Sequence, residues 1–489
     1  MTDRLGLANL SDLPESARPD YDPRGLRTGL VHLGAGAFFR AHQAWYTHKL
    51  AEAGEREWGI LASSQRSATV SAQLAAQDSL YSVLERPTHG APSAHVVGVI
   101  RGSACAAADP EPILDAIADP HVHAVTLTVT EKGYRADGAR LRMDPDVLAD
   151  LSGRPPVTVV GQLVRGLQRR TGRGAGPIAI VSCDNLSHNG SVLRGLVHDF
   201  ADRLTGPDAA TTREFIERQV TFPSTMVDRI VPATSDDDRD EVQRLLGVRD
   251  EAAVVAEPFI QWVIADEFLG PRPAWEKVGA TLTRDVAGYE RVKLRLLNAT
   301  HSLIAYLGAL AGYQTISAAL ADPRIENAAR MLCDGDTMPT LTAPDGLDLA
   351  AYRDDVLDRF ANPALGHRTT QVAMDGSQKL PQRILSAVRE RRADGAMPRV
   401  GALLVAAWMR FILGRDDGGR PLDVSDPLAQ RLTSLIQRPV PANEIVRGVF
   451  GVTEVFGPDL QEDDELVDTV AAWYGSLRDF GVGDTLSTL

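Results

Sequence analysis

Only three cysteines, Cys105, Cys183 and Cys333, are spread over the 489 residues. Their distance in sequence excludes a disulfide framework and a Cys-x-x-Cys metal site, and leaves reduced thiols. The histidines of "HVH" (His121–His123) and "SHNG" (His188) are too isolated to make a metal centre, so no bound metal is expected. A dense basic stripe is also missing: 51 Lys+Arg stand against 65 Asp+Glu, a net charge of −14. That balance argues against nucleic acid as a partner. Long apolar runs are absent too, since the best of them, Val400–Met409, is about half of what a membrane span needs. The start, "MTDRLGLANLSDLPES", lacks the basic and apolar segments of a secretory signal. A cytoplasmic protein is the expectation. There is no internal repeat and no low-complexity linker.

What is present is enough chain for two domains, because single cores stop growing at roughly 250 to 300 residues. The first half alternates short apolar runs with helical stretches, the pattern of βαβ units on a parallel sheet. Strands are expected at Gly29–Gly34, Trp58–Ser63, His95–Ile100, Ala124–Thr130 and Ile178–Cys183. From about Tyr289 the pattern changes to long helices, among them "YERVKLRLLNATHSLIAYLGAL", "SQKLPQRILSAVRERR" and "RVGALLVAAWMRFIL". The expected fold is α/β, a Rossmann-type dinucleotide-binding domain over residues 1–286 followed by a mainly α-helical domain over 287–489.

After the first expected strand comes Gly34-Ala35-Gly36 and then a helix, "GLVHLGAGAFFRAHQAWY". Two glycines so placed let the backbone turn sharply and approach a pyrophosphate at a helix N-terminus. The third glycine of that pattern is missing, Phe39 standing in its place, and a plain tight turn would also fit. At the end of the second strand, "ILASSQRSATVS" holds no carboxylate for a ribose hydroxyl. Arg66, flanked by serines, could instead receive a 2′-phosphate, or be a solvated loop residue. Gly34, Gly36, Phe38, Arg40 and Arg66 are the candidate cofactor-binding residues.

The stretch "KLRLLNATH" sets polar groups into a leucine-rich helix. At about 100° per residue, His301 lies about 80° from Lys293 and Asn298 about 140°, so the three share one broad face. Alcohol oxidation without a metal needs a base for the hydroxyl proton, donors for the developing alkoxide and a placed nicotinamide. Lys293, Asn298 and His301 could supply base, donor and orienter, given burial or neighbouring cations that let the lysine lose its proton.

Six blocks in order, "GLVHLGAGAFFRAHQAWY", "LTVTEKGY", "SCDNLSHNG", "FPSTMVDRIVPAT", "EPFIQWVIADEF" and "KLRLLNATHSLIAYLG", resemble the polyol-specific long-chain dehydrogenases, the mannitol dehydrogenase family. The likeness covers almost the whole chain. It implies a Rossmann-type domain, a helical second domain and no catalytic metal. It also implies roles: Lys293 as general base, Asn298 and a second asparagine holding the substrate oxygen, and His301 positioning substrate. For the second asparagine both Asn185 and Asn189 are available, and Asn189 has the spacing to Lys293 that fits.

Within that family "HRTTQVAMDGSQKLPQR" (His367–Arg383) is similar to the fructuronate reductase (mannonate oxidoreductase) branch, with Gln371 where the mannitol enzymes have an arginine. "AAWMRFILGRDDGGRPLDVSDPL" (Ala406–Leu428) leans the same way. The implied reaction is hydride transfer between a nicotinamide and a sugar acid, whose carboxylate Lys379, Arg368 or Arg383 could pair with. These cations could equally cap helices or bridge to Asp375. Asp228 could bind a substrate hydroxyl, or pair with Arg229. The resemblance favours NAD, with NADP the alternative, and a monomer or weak oligomer. The competing readings are a dehydrogenase of a neutral polyol such as mannitol or arabinitol, and an inactive nucleotide- or sugar-binding sensor.

Overall fold

Apolar runs of the first half become six strands of one sheet in the computed structural model, which describes residues 3–138 and 140–489. They are β1 (Thr28–Leu33), β2 (Gly59–Ser64), β3 (Ile100–Cys105), β4 (Ala124–Leu127), β5 (Ile178–Ser182) and β6 (Val220–Thr221). Every neighbouring pair is parallel, and the spatial order is β3-β2-β1-β4-β5-β6. This is the doubly wound dinucleotide-binding order, with its switch point between β1 and β4. Both faces are covered, which is why the strands read as continuous apolar runs rather than alternating ones. Along β1, Leu30 joins a core with Phe39, Tyr46 and Leu50, whereas Val31 and Leu33 join another with Leu163, Leu167 and Leu193.

The expected strand His95–Ile100 is not one strand. Ser93–Val97 pairs antiparallel with Tyr81–Glu85 in a small separate sheet, and Ile100–Cys105 enters the main sheet as β3. The break falls at Gly98, where a Cβ would lie 2.7 Å from the Pro23 ring. Another small sheet joins Thr225–Asp228, Gln261–Ala265 and Thr281–Thr283.

The chain folds as two compact units, Met1–Ala287 and Gly288–Leu489. The second unit is built from helices. One largely buried helix, Arg399–Ile412, packs against Ala299–Leu310, which is buried at every residue, and against Asp464–Leu486. Three of its segments are wound as π-turns: Lys293–Asn298, Leu332–Thr337 and Pro381–Leu385. The first of these packs against both of the others. Among the described residues no helix is long and apolar enough to cross a membrane.

Candidate active site

The glycine turn fits a close backbone approach. Gly34 has φ +106°, and a Cβ there would meet the Thr128 carbonyl at 2.0 Å, so the turn can lie this close to the chain leaving β4 only with glycine. Gly34 and Ala35 N–H both donate to the Ser63 carbonyl at the end of β2, at 2.7 and 2.9 Å. A Cβ on Gly36 would meet only the Gly34 carbonyl, at 3.9 Å, so this side of the turn is open, as a pyrophosphate needs. Behind the turn His32 is buried, bonded to Thr126 and Thr128 and stacked on Phe39 at 3.6 Å; burial pushes its pKa down to about 3, so it is neutral.

The expected cofactor residues differ in placement. Arg66 is exposed just beyond β2 and makes no hydrogen bond or ion pair with another described residue. Phe38 is half-buried and stacked on His42. Arg40 corrects the expectation: its guanidinium is buried and donates to the carbonyls of Gly36 and Ala252, so it clasps the turn from within rather than facing a ligand.

The blocks beyond β4 and β5 are bolted together. The Asp184 carboxylate accepts from Val129 N–H, Thr130 N–H and Tyr134 Oη at 3.1, 2.8 and 2.7 Å. Asn189 begins the helix Asn189–Asp202. Its amide donates to the carbonyls of Asp184 (3.0 Å) and Thr225 (2.8 Å) and accepts from Thr225 N–H (2.9 Å). Both amide hydrogens are thus engaged, so Asn189 ties two loops together and presents a donor to substrate only by releasing a carbonyl. Asp228 is buried at the end of its strand opposite Gln261. The weighed Asp228–Arg229 pair is replaced: Arg229 forms its ion pair with Glu85 and donates to the Glu257 carbonyl at 2.8 Å.

In the second unit Lys293, Asn298 and His301 are 7%, 6% and 9% exposed. Lys293–Asn298 is a π-turn, not the regular α-helix that the spacing suggested: Ala299 N–H reaches back to the Leu294 carbonyl, five residues away. Such turns loosen carbonyls and recur at functional sites. Here the Asn298 carbonyl accepts from Ser302 Oγ at 3.1 Å and from Arg383 Nη1 at 3.3 Å, and Arg383 also donates to Ser302 Oγ at 2.8 Å. Arg295 points elsewhere, into an ion pair with Glu390 at 2.5 Å.

His301 stacks on Phe360 at 4.4 Å and meets the His367 ring edge-on at 4.9 Å. Burial, then the adjoining His367 and the cations Arg383, Lys379 and Arg359, which all oppose a charge on the ring, hold its pKa far below the ordinary value, so it is a neutral imidazole. Burial, then Arg383, brings Lys379 down to about 8, against the opposing pull of Asp375 and Asp426. Burial lowers Arg383 to about 10. Three polar atoms of this cluster, Asn298 Oδ1, His301 Nε2 and His367 Nδ1, are buried without a hydrogen-bond partner. Each such atom costs about 1–3 kcal/mol unless a water, an ion or a ligand satisfies it.

The "MDGSQK" turn is fixed from several sides. Asp375 adopts φ +56°, and a Cβ on Gly376 would collide with Trp408 Nε1 at 2.3 Å. Ser377 donates to the Asp426 carboxylate through N–H (2.7 Å) and Oγ (2.6 Å), joining the two segments that lean to the sugar-acid branch. Lys379 Nζ donates to the Met374 carbonyl at 2.5 Å. Arg368 does not join this cluster; it is exposed and lines a separate cavity of about 430 Å³ with Tyr313, Gln314, Gln371 and Arg420. Sequence reasoning missed Phe360 and His367. Both come from segments about 60 residues downstream, and only the fold brings them to His301.

Comparison with known proteins places each half. Residues 28–277 match the mannitol dehydrogenase Rossmann domain and residues 285–478 the mannitol dehydrogenase C-terminal domain. The D-mannonate oxidoreductase of Escherichia coli K12 is 41% identical, over 98% of this chain and 99% of its own. The structure of Pseudomonas fluorescens mannitol 2-dehydrogenase in ternary complex with NAD and D-mannitol superposes with a TM-score of 0.88 at 35% identity, covering 99% of both chains. A D-sorbitol dehydrogenase in substrate-free form also gives 0.88, at 31% identity, covering 99% of this chain and all of the other.

Proposed function

The chain belongs to the mannitol dehydrogenase family of oxidoreductases, and on that premise we propose that it interconverts a sugar acid of the D-mannonate type and its keto acid, D-fructuronate, with NAD. The observation that carries the choice of an acid is the basic cluster of Lys379 and Arg383 around two neutral imidazoles. A neutral polyol gives such a cluster nothing to neutralise, whereas a carboxylate pairs with it. The relative with 41% identity, named for D-mannonate, supports the same reading.

NAD, when bound, supplies the hydride acceptor or donor. The open glycine turn at Gly34 and Gly36 would hold its pyrophosphate, and Arg66, just beyond β2, would stand on the adenosine-ribose side. In oxidation Lys293 Nζ accepts the alcohol proton as the C–H bond gives up its hydride; in reduction it returns that proton to the carbonyl oxygen. Asn298 donates through its amide to that oxygen, strengthening as negative charge develops on it. His301, neutral and fixed between Phe360 and His367, orients the substrate hydroxyls. Asn189 holds the loop that follows β5, and a donor role for it requires release of the Thr225 or Asp184 carbonyl.

Replacing Lys293 with Ala tests the base. Turnover should fall by three or more orders of magnitude, with NADH binding, read by nicotinamide fluorescence, unchanged. Turnover equal to that of the unaltered enzyme would remove Lys293 from the mechanism.

A further inference from the structure

In the chemistry set out above His367 serves only to hold His301, yet its position is that of a ligand contact. Its backbone is pinned on one side, because its carbonyl accepts from Ile316 N–H at 2.9 Å and Thr369 N–H donates to the Gln314 carbonyl at 3.1 Å. Between them Arg368 bridges to Thr315. The imidazole is therefore delivered to His301 by fixed backbone, its ring 4.9 Å away and tilted by 67°. Neither of its nitrogens is hydrogen-bonded to a described residue, and Nδ1 is buried.

The neighbouring cations are already partly committed. Lys379 Nζ donates to the Met374 and Val372 carbonyls, and Arg383 Nη1 to the Asn298 carbonyl and Ser302 Oγ. Charge on the ring is opposed by burial and by Lys379, so His367 is a neutral imidazole with one N–H donor to give. Asp375 and Asp426 are the acids near Lys379. Close to the cations, then, His301 and His367 both hold unused hydrogen bonding, and of the two His367 is the one that the reacting end of the substrate does not engage.

We infer that His367 is a specificity-determining residue of this site, whose ring N–H donates to the carboxylate of the sugar acid beside the Lys379 cation. The inference rests on the sugar-acid reading and deepens it: His301 serves the end of the substrate that reacts, and His367 the end that carries the acid. A neutral ketose lacks the second group and should not sense the residue.

The test is steady-state kinetics of His367→Phe, which keeps an aromatic edge against His301 and removes both nitrogens, and of His367→Gln, which restores a donor. D-fructuronate and D-fructose are compared, with NADH binding and thermal melting as checks on folding. In His367→Phe the KM for D-fructuronate should rise about 10-fold or more, since a hydrogen bond to a charged group is lost. Its kcat and the KM for D-fructose should stay within about two-fold, and His367→Gln should recover part of the loss. An unchanged KM for D-fructuronate, or an equal rise for both ketoses, would overturn the inference. If His367→Phe fails to fold, His367→Gln decides alone: its KM for D-fructuronate should rise, by less than 10-fold but by more than that for D-fructose, and an equal rise for both would overturn the inference. Failure of the underlying reading would be visible separately, as an unaltered enzyme that does not reduce D-fructuronate.

Discussion

A buried lysine loses its charge at a lower pH than a surface one, and Lys379, brought down to about 8, does so within a range that kinetics can reach. Its cation is present below that pH and lost above it. The KM for a sugar acid should therefore rise as pH passes about 8, while that for a neutral ketose stays level. In Lys379→Gln the acid's KM should be high at every pH and lack this step. A step that survives in the variant would assign it to another group. At this scale the sequence already places Lys293, Asn298 and His301 within nine residues of one helical stretch, all three of them buried, but the π-turn changes the angles between them from those of a regular α-helix. Arg40 and Arg368 are not legible in the same way. A cation's partner is set by tertiary contacts: Arg40 finds the Ala252 carbonyl 212 residues away, and Arg368 lines another cavity.

At the scale of elements, the π-turns separate what the sequence shows from what it does not. Apolar periodicity locates the helices from Val286 to Leu310 and from Gly376 to Ala393, but cannot distinguish one extra residue in a turn. Pro381 offers a partial signal: it has no N–H for the ladder, and the π-turn begins at it. The π-turn Leu332–Thr337 carries Asp336, whose carboxylate accepts the N–H groups of Val400 and Gly401 at 2.8 and 2.7 Å, capping the largely buried helix Arg399–Ile412. Burial raises Asp336 from 3.8 to about 6, so between these values the folded chain keeps a proton that the unfolded chain releases. Stability from this group then falls as pH climbs through that window and levels off above it, a change on the order of 3 kcal/mol. Asp336→Asn keeps an acceptor and cannot titrate. Denaturant midpoints of the two proteins should accordingly shift in the variant's favour from pH 4 to pH 7, and a constant difference would show that Asp336 does not titrate as described.

At the scale of the whole molecule, alternating βα patterns in the first half and long helices in the second correspond to the doubly wound sheet and the helical unit. With right-handed crossovers, the reversal of strand order beside β1 puts helices on both faces of the sheet. The small sheets escape the sequence because their strands are brief and recruited from distant segments, Tyr81–Glu85 pairing with both Ser93–Val97 and Val254–Ala256. Family membership establishes oxidoreductase chemistry, while the relatives span both sugar acids and neutral polyols. The choice between them is the central claim. The measurement that tests it most directly is steady-state NADH oxidation with D-fructuronate and with D-fructose side by side. A kcat/KM at least 100-fold higher for D-fructuronate is the predicted result, and equal or better turnover of D-fructose would contradict the account.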